Sequence, residues 1–236
     1  MRVWLGLIFA GQAAQKATSI IPIGVLASHD GVGSCFYKSL ARPGGNITGS
    51  ESMAPELDAK RVEILKDIFP QLSHLTVLHN PTFAGAKLHS DAILSSAAKQ
   101  NTKVQFVEIL TVADFDAAFA VLLHDRPDAV LTVADNLIFQ RRQRIVSFGN
   151  EHRIPMIHES KIFVKEGALI SYGADVEEVF RRGADFVDKI LRGEKAGDIP
   201  VEQPTKFDFA INLKTAKELG VTFPNNVILS ANVVID

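Results

Sequence analysis

The sequence predicts an α/β protein in which helices flank parallel sheets. Two observations predict this class. Short apolar segments alternate with longer segments whose apolar residues recur at helical spacing, and the alternation continues along most of the 236 residues. Polar residues also follow several of the apolar segments directly, as they do where parallel strands end. With 47% hydrophobic and 22% charged residues, the chain has the composition of one large or two small globular domains.

The amino-terminal segment allows two interpretations. Residues 5–10 form an apolar run that predicts a buried strand, with a helix beginning at residue 11. The same run follows the single charge of Arg2 and precedes Ala13 and Ala14, so it also fits a signal peptide. The run is too short to span a bilayer as a helix. We favour the strand.

Residues 21–27 predict a second strand, and residues 39–49 predict a connector of defined shape. The connector reads SLARPGGNITG. Pro43 fixes its own backbone angle, and Gly44 and Gly45 accept angles that other residues resist. We expect a turn or a domain crossing here.

The rest of the chain alternates helices and strands. Helices are predicted at residues 55–68, 83–100, 115–123, 137–152, 175–192 and 213–219, and strands at residues 75–78, 104–109, 129–133, 155–157, 168–171 and 207–211. The helix at 175–192 is marked by Glu177 and Glu178 at its start and by Lys189 and Arg192 at its end, which complements the helix dipole.

Composition argues against several functional classes. A net charge of −2 without a run of Lys or Arg gives no electrostatic footprint for nucleic acid. The single cysteine, Cys35, excludes an internal disulfide and a multi-cysteine zinc site. Gly31-Val32-Gly33 lacks the third glycine of a dinucleotide motif, since position 36 is Phe36, and we interpret it as a plain turn.

The histidines predict neither a metal site nor a bound cofactor. No two of them lie three or four residues apart on one predicted helix. We expect His74, His89, His124 and His152 to occupy solvated faces or the ends of elements.

Polar residues gather at five places that follow predicted strands, where an open α/β sheet places its ligand. These places are Ser28-His29-Asp30, Asn80, Asp135-Asn136, His158-Glu159 and Tyr172-Gly173. From them we predict ligand contacts at Ser28, Asp30, Asn80, Asp135, Asn136, Glu159, Tyr172 and Gly173. For each Asn or Asp taken alone, helix capping or a turn is the competing role.

The chemistry of this set suits a small zwitterion. Asp30, Asp135 or Glu159 can accept a hydrogen bond from an ammonium, and hydroxyls or helix-start N–H groups can donate to a carboxylate. Tyr172 can form an apolar wall by stacking. An enzyme is the alternative, with His29-Asp30 and His158-Glu159 as acid and base. No nucleophile paired with a base is evident.

Several segments of the sequence resemble those of one protein family. They are residues 16–23 (KATSIIPI), 39–49, 140–143 (QRRQ), 171–173 (SYG), 188–193 (DKILRG) and 200–220 (PVEQPTKFDFAINLKTAKELG). They resemble the tryptophan/tyrosine-type substrate-binding proteins of ABC transporters, over about residues 6–236.

The resemblance implies a type I periplasmic binding fold, in which two α/β lobes close on a solute between them. It implies capture of a small molecule, often an aromatic amino acid, and delivery to a permease driven by an ATPase. It implies no catalysis, no membrane span, and a location in the periplasm or on the outer face of the membrane. Residues 1–48 and 172–236 are then lobe 1 with the hinge, residues 49–171 are lobe 2, and residues 39–49 are the first crossing.

The chain departs from the family pattern at its front. Members usually carry further βα units before the point matched by residues 5–14, so we expect lobe 1 to be incomplete. A clear export signal and a lipid-attachment cysteine are not seen. A ligand-sensing regulatory core of the same fold, with a cytoplasmic partner, is a third interpretation.

Overall fold

A computed structural model describes residues 3–83 and 85–236. The strands are β1 (Trp4–Leu7), β2 (Ile23–Ser28), β3 (Ile47–Glu51), β4 (His74–His79), β5 (Lys103–Glu108), β6 (Ala129–Thr132), β7 (Met156–His158), β8 (Ile170–Ala174), β9 (Phe207–Asn212) and β10 (Val233–Ile235). The helices are α1 (Ile8–Ala17), α2 (Ala54–Ile68), α3 (Ala86–Lys99), α4 (Asp114–Asp125), α5 (Asn136–Gln140), α6 (Arg142–Glu151), α7 (Lys161–Lys165), α8 (Val176–Leu191), α9 (Leu213–Leu219) and α10 (Asn225–Ser230).

The chain divides into two compact units. Unit 1 comprises Met1–Met53 and Ala174–Lys206, and unit 2 comprises Ala54–Gly173 and Phe207–Asp236. The sequence-based division at 48/49 and 171/172 stays a prediction, and the units differ from it chiefly in placing residues 207–236 with unit 2. The physical reason is strand pairing, because β9 lies beside β8 in the sheet of unit 2.

Unit 1 is built on a parallel three-stranded sheet in the order β1-β2-β3. Ile23, Val25 and Ile47 lie in one of its cores, and Leu26 packs with residues of α8 in the other. A Cβ at Gly49 would lie 1.8 Å from the carbonyl oxygen of Val25, so β2 and β3 can approach this closely only with glycine here.

The connector at residues 39–49 lies within unit 1. Gly44 and Gly45 both have positive φ, as their sequence predicts, and the Gly44 amide donates to the carbonyl of Gly197. The chain leaves unit 1 at Met53, four residues after the predicted crossing.

Unit 2 is built on a seven-stranded sheet in the order β10-β9-β8-β7-β6-β4-β5. The five strands from β4 to β8 run parallel. β9 runs against β8, since the Asn212 amide donates to the carbonyl of Leu169 while the Phe207 ring lies beside Tyr172. β10 is parallel to β9. The sheet is therefore parallel-rich, with two reversed strands at one side.

The two faces of this sheet alternate along each strand, as a period of two requires. Leu75, Val77 and Leu131 pack under α2 and α3, whereas Leu78 and Val130 belong to the core under α4 to α7. Helices cover both faces of the sheet, so the ends of the strands remain uncovered. The word edge refers to a row of these strand ends, carboxyl or amino, and not to an outermost strand.

Most predicted elements are confirmed within a few residues. The amino-terminal run is a strand only in part: β1 ends at Leu7, Leu5 in it is exposed rather than buried, and the helix α1 begins at Ile8 instead of residue 11. Residues 137–152 form two helices rather than one, because the chain breaks at Arg141 with φ −102. The elements β3, α7, α10 and β10 were not predicted. Among the described residues no helix combines the length and apolar character needed to cross a membrane.

Candidate functional site

The carboxyl ends of neighbouring strands in unit 2 bring several predicted site residues to one edge. β8, β7, β6 and β4 are adjacent in that order. Glu159 follows β7 directly, Asp135 follows β6 after two residues, and Asn80 follows β4 directly. Nδ2 of Asn80 donates to Oδ2 of Asp135 at 3.2 Å. The structure therefore joins two residues that are 55 positions apart in the sequence.

Asp135 caps a helix with one carboxylate oxygen and contacts Asn80 with the other. Its Oδ1 accepts from the backbone N–H of Leu137 at 2.7 Å and of Ile138 at 3.2 Å, which caps the start of α5. Its Oδ2 accepts from Asn80. Asn136, the first residue of α5, is exposed. One carboxylate oxygen thus stabilises the helix, and the other points along the edge of the sheet.

Asn80 is held in one orientation. Its Oδ1 accepts from the backbone N–H of Thr82 at 3.0 Å and from the Thr82 hydroxyl at 2.7 Å. Because the oxygen is occupied, the amide group presents its N–H donors toward Asp135.

Glu159 is a partly buried acid at the end of β7. Burial raises the pKa of its carboxyl group to about 7, and the nearby Arg61 opposes that rise. The hydroxyl of Thr132 lies 3.3 Å from its Oε2. A carboxyl group with this pKa changes charge near neutral pH, when most Glu residues are already ionised.

His158 is enclosed beside Glu159. Its ring stacks on Phe163 with centroids 4.2 Å apart, and its Nδ1 lies 2.9 Å from the Thr132 hydroxyl. Burial, reinforced by the charge of Arg61, lowers its pKa to about 3. The side chain is therefore neutral at ordinary pH and contacts protein groups rather than solvent.

Gly173 lets the ends of β7 and β8 touch. A Cβ at this position would lie 1.7 Å from the carbonyl oxygen of Glu159. The neighbouring Tyr172 turns its ring to the α2 face of the sheet, where the ring lies near Phe207 and Phe209 at centroid distances of 6.2 and 5.9 Å. Its predicted stacking against a ligand stays a prediction.

A buried charged network lies beneath this edge, and sequence reasoning missed it. The carboxylate of Asp58 contacts both the guanidinium of Arg61 and Nδ1 of His89. Nε of Arg61 donates to the carbonyl of Tyr172 at 2.7 Å. The side chains of Asp58, Arg61 and His89 are each at most 1% exposed. The signal in the sequence was the i, i+3 pair of opposite charges inside the apolar face of α2.

The expectation that His89 is solvated is wrong. α3 packs on α2, so the ring of His89 faces Asp58 on one side and meets Phe83 edge-on at 5.2 Å. Periodicity alone did not show this, because the partner of His89 lies on another helix.

The other two predicted site residues belong to unit 1. Ser28 is buried at the end of β2, and Oδ1 of Asp30 accepts from the backbone N–H of Gly33 at 2.8 Å, which closes a turn. Oε1 of Glu51 accepts from the N–H of Gly31 at 2.8 Å. The segment Gly31-Val32-Gly33 is thus the plain turn that its sequence predicts.

Sequence reasoning missed Tyr37 and Glu51 in this part of unit 1. Burial raises the pKa of the Tyr37 hydroxyl, and a Cβ at Gly31 would lie 2.2 Å from its ring. The turn is therefore packed against Tyr37. Across the described chain, no group of three or more His, Cys, Asp or Glu side chains is placed to hold a metal ion.

One curated protein resembles this chain over most of its length. A tyrosine-binding protein from Clostridioides difficile (strain R20291) is 31% identical over 212 residues, which are 90% of this chain and 61% of that protein. The chain thus spans less than two thirds of that relative.

Two solved structures match nearly the whole chain. A conserved domain protein from Vibrio cholerae O1 biovar El Tor has a TM-score of 0.91 at 30% identity, over 98% of this chain and 78% of the other. An ABC domain from Streptococcus pneumoniae in complex with L-Trp has a TM-score of 0.90 at 26% identity, over 99% of this chain and 78% of the other. The fold is therefore that of type I periplasmic binding proteins.

The family model described as ABC transporter substrate binding protein matches residues 8–235. Since this model covers nearly the whole chain, the chain belongs to the ABC transporter substrate-binding protein family.

Proposed function

We propose that the chain is the solute-binding component of an ABC importer and that its solute is an amino acid, of the aromatic class. It would act in the periplasm or on the outer face of the membrane, and pass the solute unchanged to a permease driven by an ATPase. The family supports the binding role. The tyrosine-binding and L-Trp-bound relatives support the choice of solute.

The observation that carries the proposal is the row of Asn80, Asp135 and Glu159 along one edge of the unit 2 sheet. Oδ2 of Asp135 and the carboxyl group of Glu159 are acceptors for a solute ammonium, and the Asn80 amide is a donor for a solute carboxylate. Charge-assisted hydrogen bonds of this kind distinguish a zwitterion from a neutral solute of the same shape.

The remaining predicted contacts are part of the same proposal. They are Ser28, Asp30, Asn136, Tyr172 and Gly173. Enclosure of the solute between two lobes also stays a prediction.

Binding without catalysis is supported by His158. A general acid or base must reach the substrate and change its protonation near the working pH. His158 is enclosed between Phe163 and Thr132, and its pKa of about 3 keeps it neutral. Turnover of a stabilising solute, lost in His158→Ala, would make the protein an enzyme.

Thermal unfolding with a panel of amino acids and small metabolites tests the proposal. We expect L-tyrosine or L-tryptophan to raise the melting temperature, because a ligand that binds only the folded state stabilises it. The rise should disappear in Asp135→Asn, which keeps the helix cap but removes the charge.

Asp128→Asn is the matched control. Oδ2 of Asp128 accepts from Ser73 N, Ser73 Oγ and His74 N at 2.8 to 2.9 Å, where β4 begins, so it occupies the opposite edge of the same sheet. This variant should keep the ligand-induced rise. Equal rises in both variants would contradict the assignment of Asp135, and no rise with any amino acid would contradict the proposed function.

A further inference from the structure

A groove on the α2 face of unit 2 lies apart from the row of Asn80, Asp135 and Glu159. It has a volume of about 330 Å³ and runs between α2 and α10, above β8 and β9. That volume is at the lower end of small-molecule sites, which span roughly 300 to 1,000 Å³, and suits a single bicyclic molecule rather than a peptide.

The floor of the groove is aromatic. Tyr172, Phe207 and Phe209 are among the residues that line it, and Phe209 is buried. Tyr172 and Phe207 lie nearly parallel, with 19° between their planes, and Phe209 meets Tyr172 edge-on at 82°. Ring faces that point into a groove attract other rings and also attract cations.

The floor is also fixed in place. Oδ1 of Asn232 accepts from the Phe209 amide at 2.8 Å, and its Nδ2 donates to the carbonyl of Phe207 at 2.9 Å. The carbonyl of Tyr172 accepts from Arg61. A site whose walls are already ordered loses less entropy when a ligand binds.

The rim of the groove carries an excess of negative charge, because Lys60 pairs with Glu63 and also feels the charge of Asp67. Lys60, Ile64 and Asp67 line it from one face of α2. Nζ of Lys60 lies 2.9 Å from Oε2 of Glu63, and this pair raises the pKa of Lys60. Asp67 is exposed, and within the described residues its carboxylate accepts no hydrogen bond.

We propose that this groove is a second small-molecule site, specific for aromatic amines. The ring of the ligand lies on Tyr172, Phe207 and Phe209, and its ammonium pairs with Asp67. An aromatic acid is disfavoured, because it would meet the negative charge of Asp67 and would have to compete with Glu63 for Lys60. Tyr172 is named in both proposals, and the other residues of the groove are separate from those of the proposed transport function.

The test uses the full chain with tryptamine and indole-3-propionate, which share a ring system but differ in charge. Calorimetric titration should show saturable binding of tryptamine, about fivefold tighter than indole-3-propionate, the worth of one solvent-accessible ion pair. Asp67→Asn should remove the preference.

Two tryptophan substitutions on α10 separate the groove from the helix surface. Ser230 lines the groove, so Ser230→Trp should fill it and abolish tryptamine binding. Leu229 is 86% exposed and does not line the groove, so Leu229→Trp should bind tryptamine as the native chain does. Unchanged binding in Ser230→Trp, or equal affinity for the two probes, would overturn the proposal.

The variant Asp135→Asn shows whether tryptamine binds in the groove or at the proposed transport site. Tryptamine binding should be unchanged in that variant. If it is lost there and kept in Ser230→Trp, the amine binds at the row of Asn80, Asp135 and Glu159, and the groove is not a site. Conversely, Ser230→Trp should keep the thermal response to L-tyrosine or L-tryptophan.

Discussion

Unit 2 holds two acids in similar settings but with different partners. Asp58 is 0% exposed and is paired with Arg61 and His89. Glu159 lies near the same Arg61, yet its carboxyl group accepts hydrogen bonds only from neutral groups, the Thr132 hydroxyl and its own backbone N–H, among those described, and its pKa rises to about 7. A buried acid whose partners are complete stabilises the fold, whereas an acid with incomplete pairing retains capacity for a ligand. The difference indicates which acid is structural and which is proposed to bind solute.

The largest loss of stability should come from disrupting the buried network of Asp58, Arg61 and His89. Arg61→Met leaves the carboxylate of Asp58 buried without its cation and removes the donor to the carbonyl of Tyr172. We expect a loss of about 3–5 kcal/mol in the free energy of unfolding. Urea denaturation measures it. A loss below about 1 kcal/mol would mean that Asp58 is not the structural acid of the pair.

The contact between Gly173 and the backbone of Glu159 should give the next largest effect. Gly173→Ala places a Cβ against a carbonyl oxygen, and relief of the clash requires a shift of the edge. We expect a loss of about 1–3 kcal/mol. Gly193→Ala gives the opposite case, a positive φ of +105 with no atom within 4 Å of the added Cβ, whereas Gly173 has no such φ and its loss reports the clash. If Gly173→Ala is as stable as the native chain, the two strand ends do not meet.

The raised pKa of Glu159 predicts how stability depends on pH. Its folded value of about 7 lies above the ordinary 4.5, so the folded state binds this proton more tightly than the unfolded state. The stabilisation is complete below about pH 4.5 and is lost as the pH rises through about 7.

The variant Glu159→Gln should not lose stability as the pH rises through about 7, because its side chain does not ionise. Relative to the native chain, the variant should gain roughly 1–2 kcal/mol in unfolding free energy between about pH 5 and pH 8. The contribution of His158, whose pKa is lowered, is present above pH 6.5, falls as the pH drops toward 3, and is common to both proteins. Denaturation at several pH values measures the difference. Parallel pH profiles would show that Glu159 is ionised in the folded state as in the unfolded chain.

The smallest effect on stability should come from Asp135. Asn caps a helix as well as Asp does, so Asp135→Asn should change the free energy of unfolding by less than about 0.5 kcal/mol, whereas Asp135→Ala should cost about 1 kcal/mol. Thermal or chemical denaturation compares the two variants. Equal losses would mean that the carboxylate charge, rather than the cap, stabilises α5.

Long amphipathic elements and the polar edge were predictable from the sequence. α2 and α8 carry several turns of apolar residues at regular spacing, and the edge follows from the rule that parallel strands end together. That rule placed Asn80 and Asp135 at one edge, and the structure joins them by a hydrogen bond.

The other features could not be predicted, because they are short elements or contacts between residues far apart in the sequence. The helices α7 and α10 have five and six residues, too few for periodicity to show. The pairing of His89 with Asp58 requires the packing of α3 on α2. The side of the sheet on which the Tyr172 ring lies is set by strand register, and alternation along a strand does not reveal which face is which.

The most direct test of the account compares an amino acid with its deaminated analogue. Calorimetric affinities for L-tyrosine and 3-(4-hydroxyphenyl)propionate should be measured with the native chain, Asp135→Asn and Asp128→Asn. We expect the native chain and Asp128→Asn to bind the amino acid at least about tenfold more tightly than the analogue, and Asp135→Asn to lose this preference. An undiminished preference in Asp135→Asn would contradict the claim that the Asp135 carboxylate at the edge of the unit 2 sheet binds the ammonium of the solute.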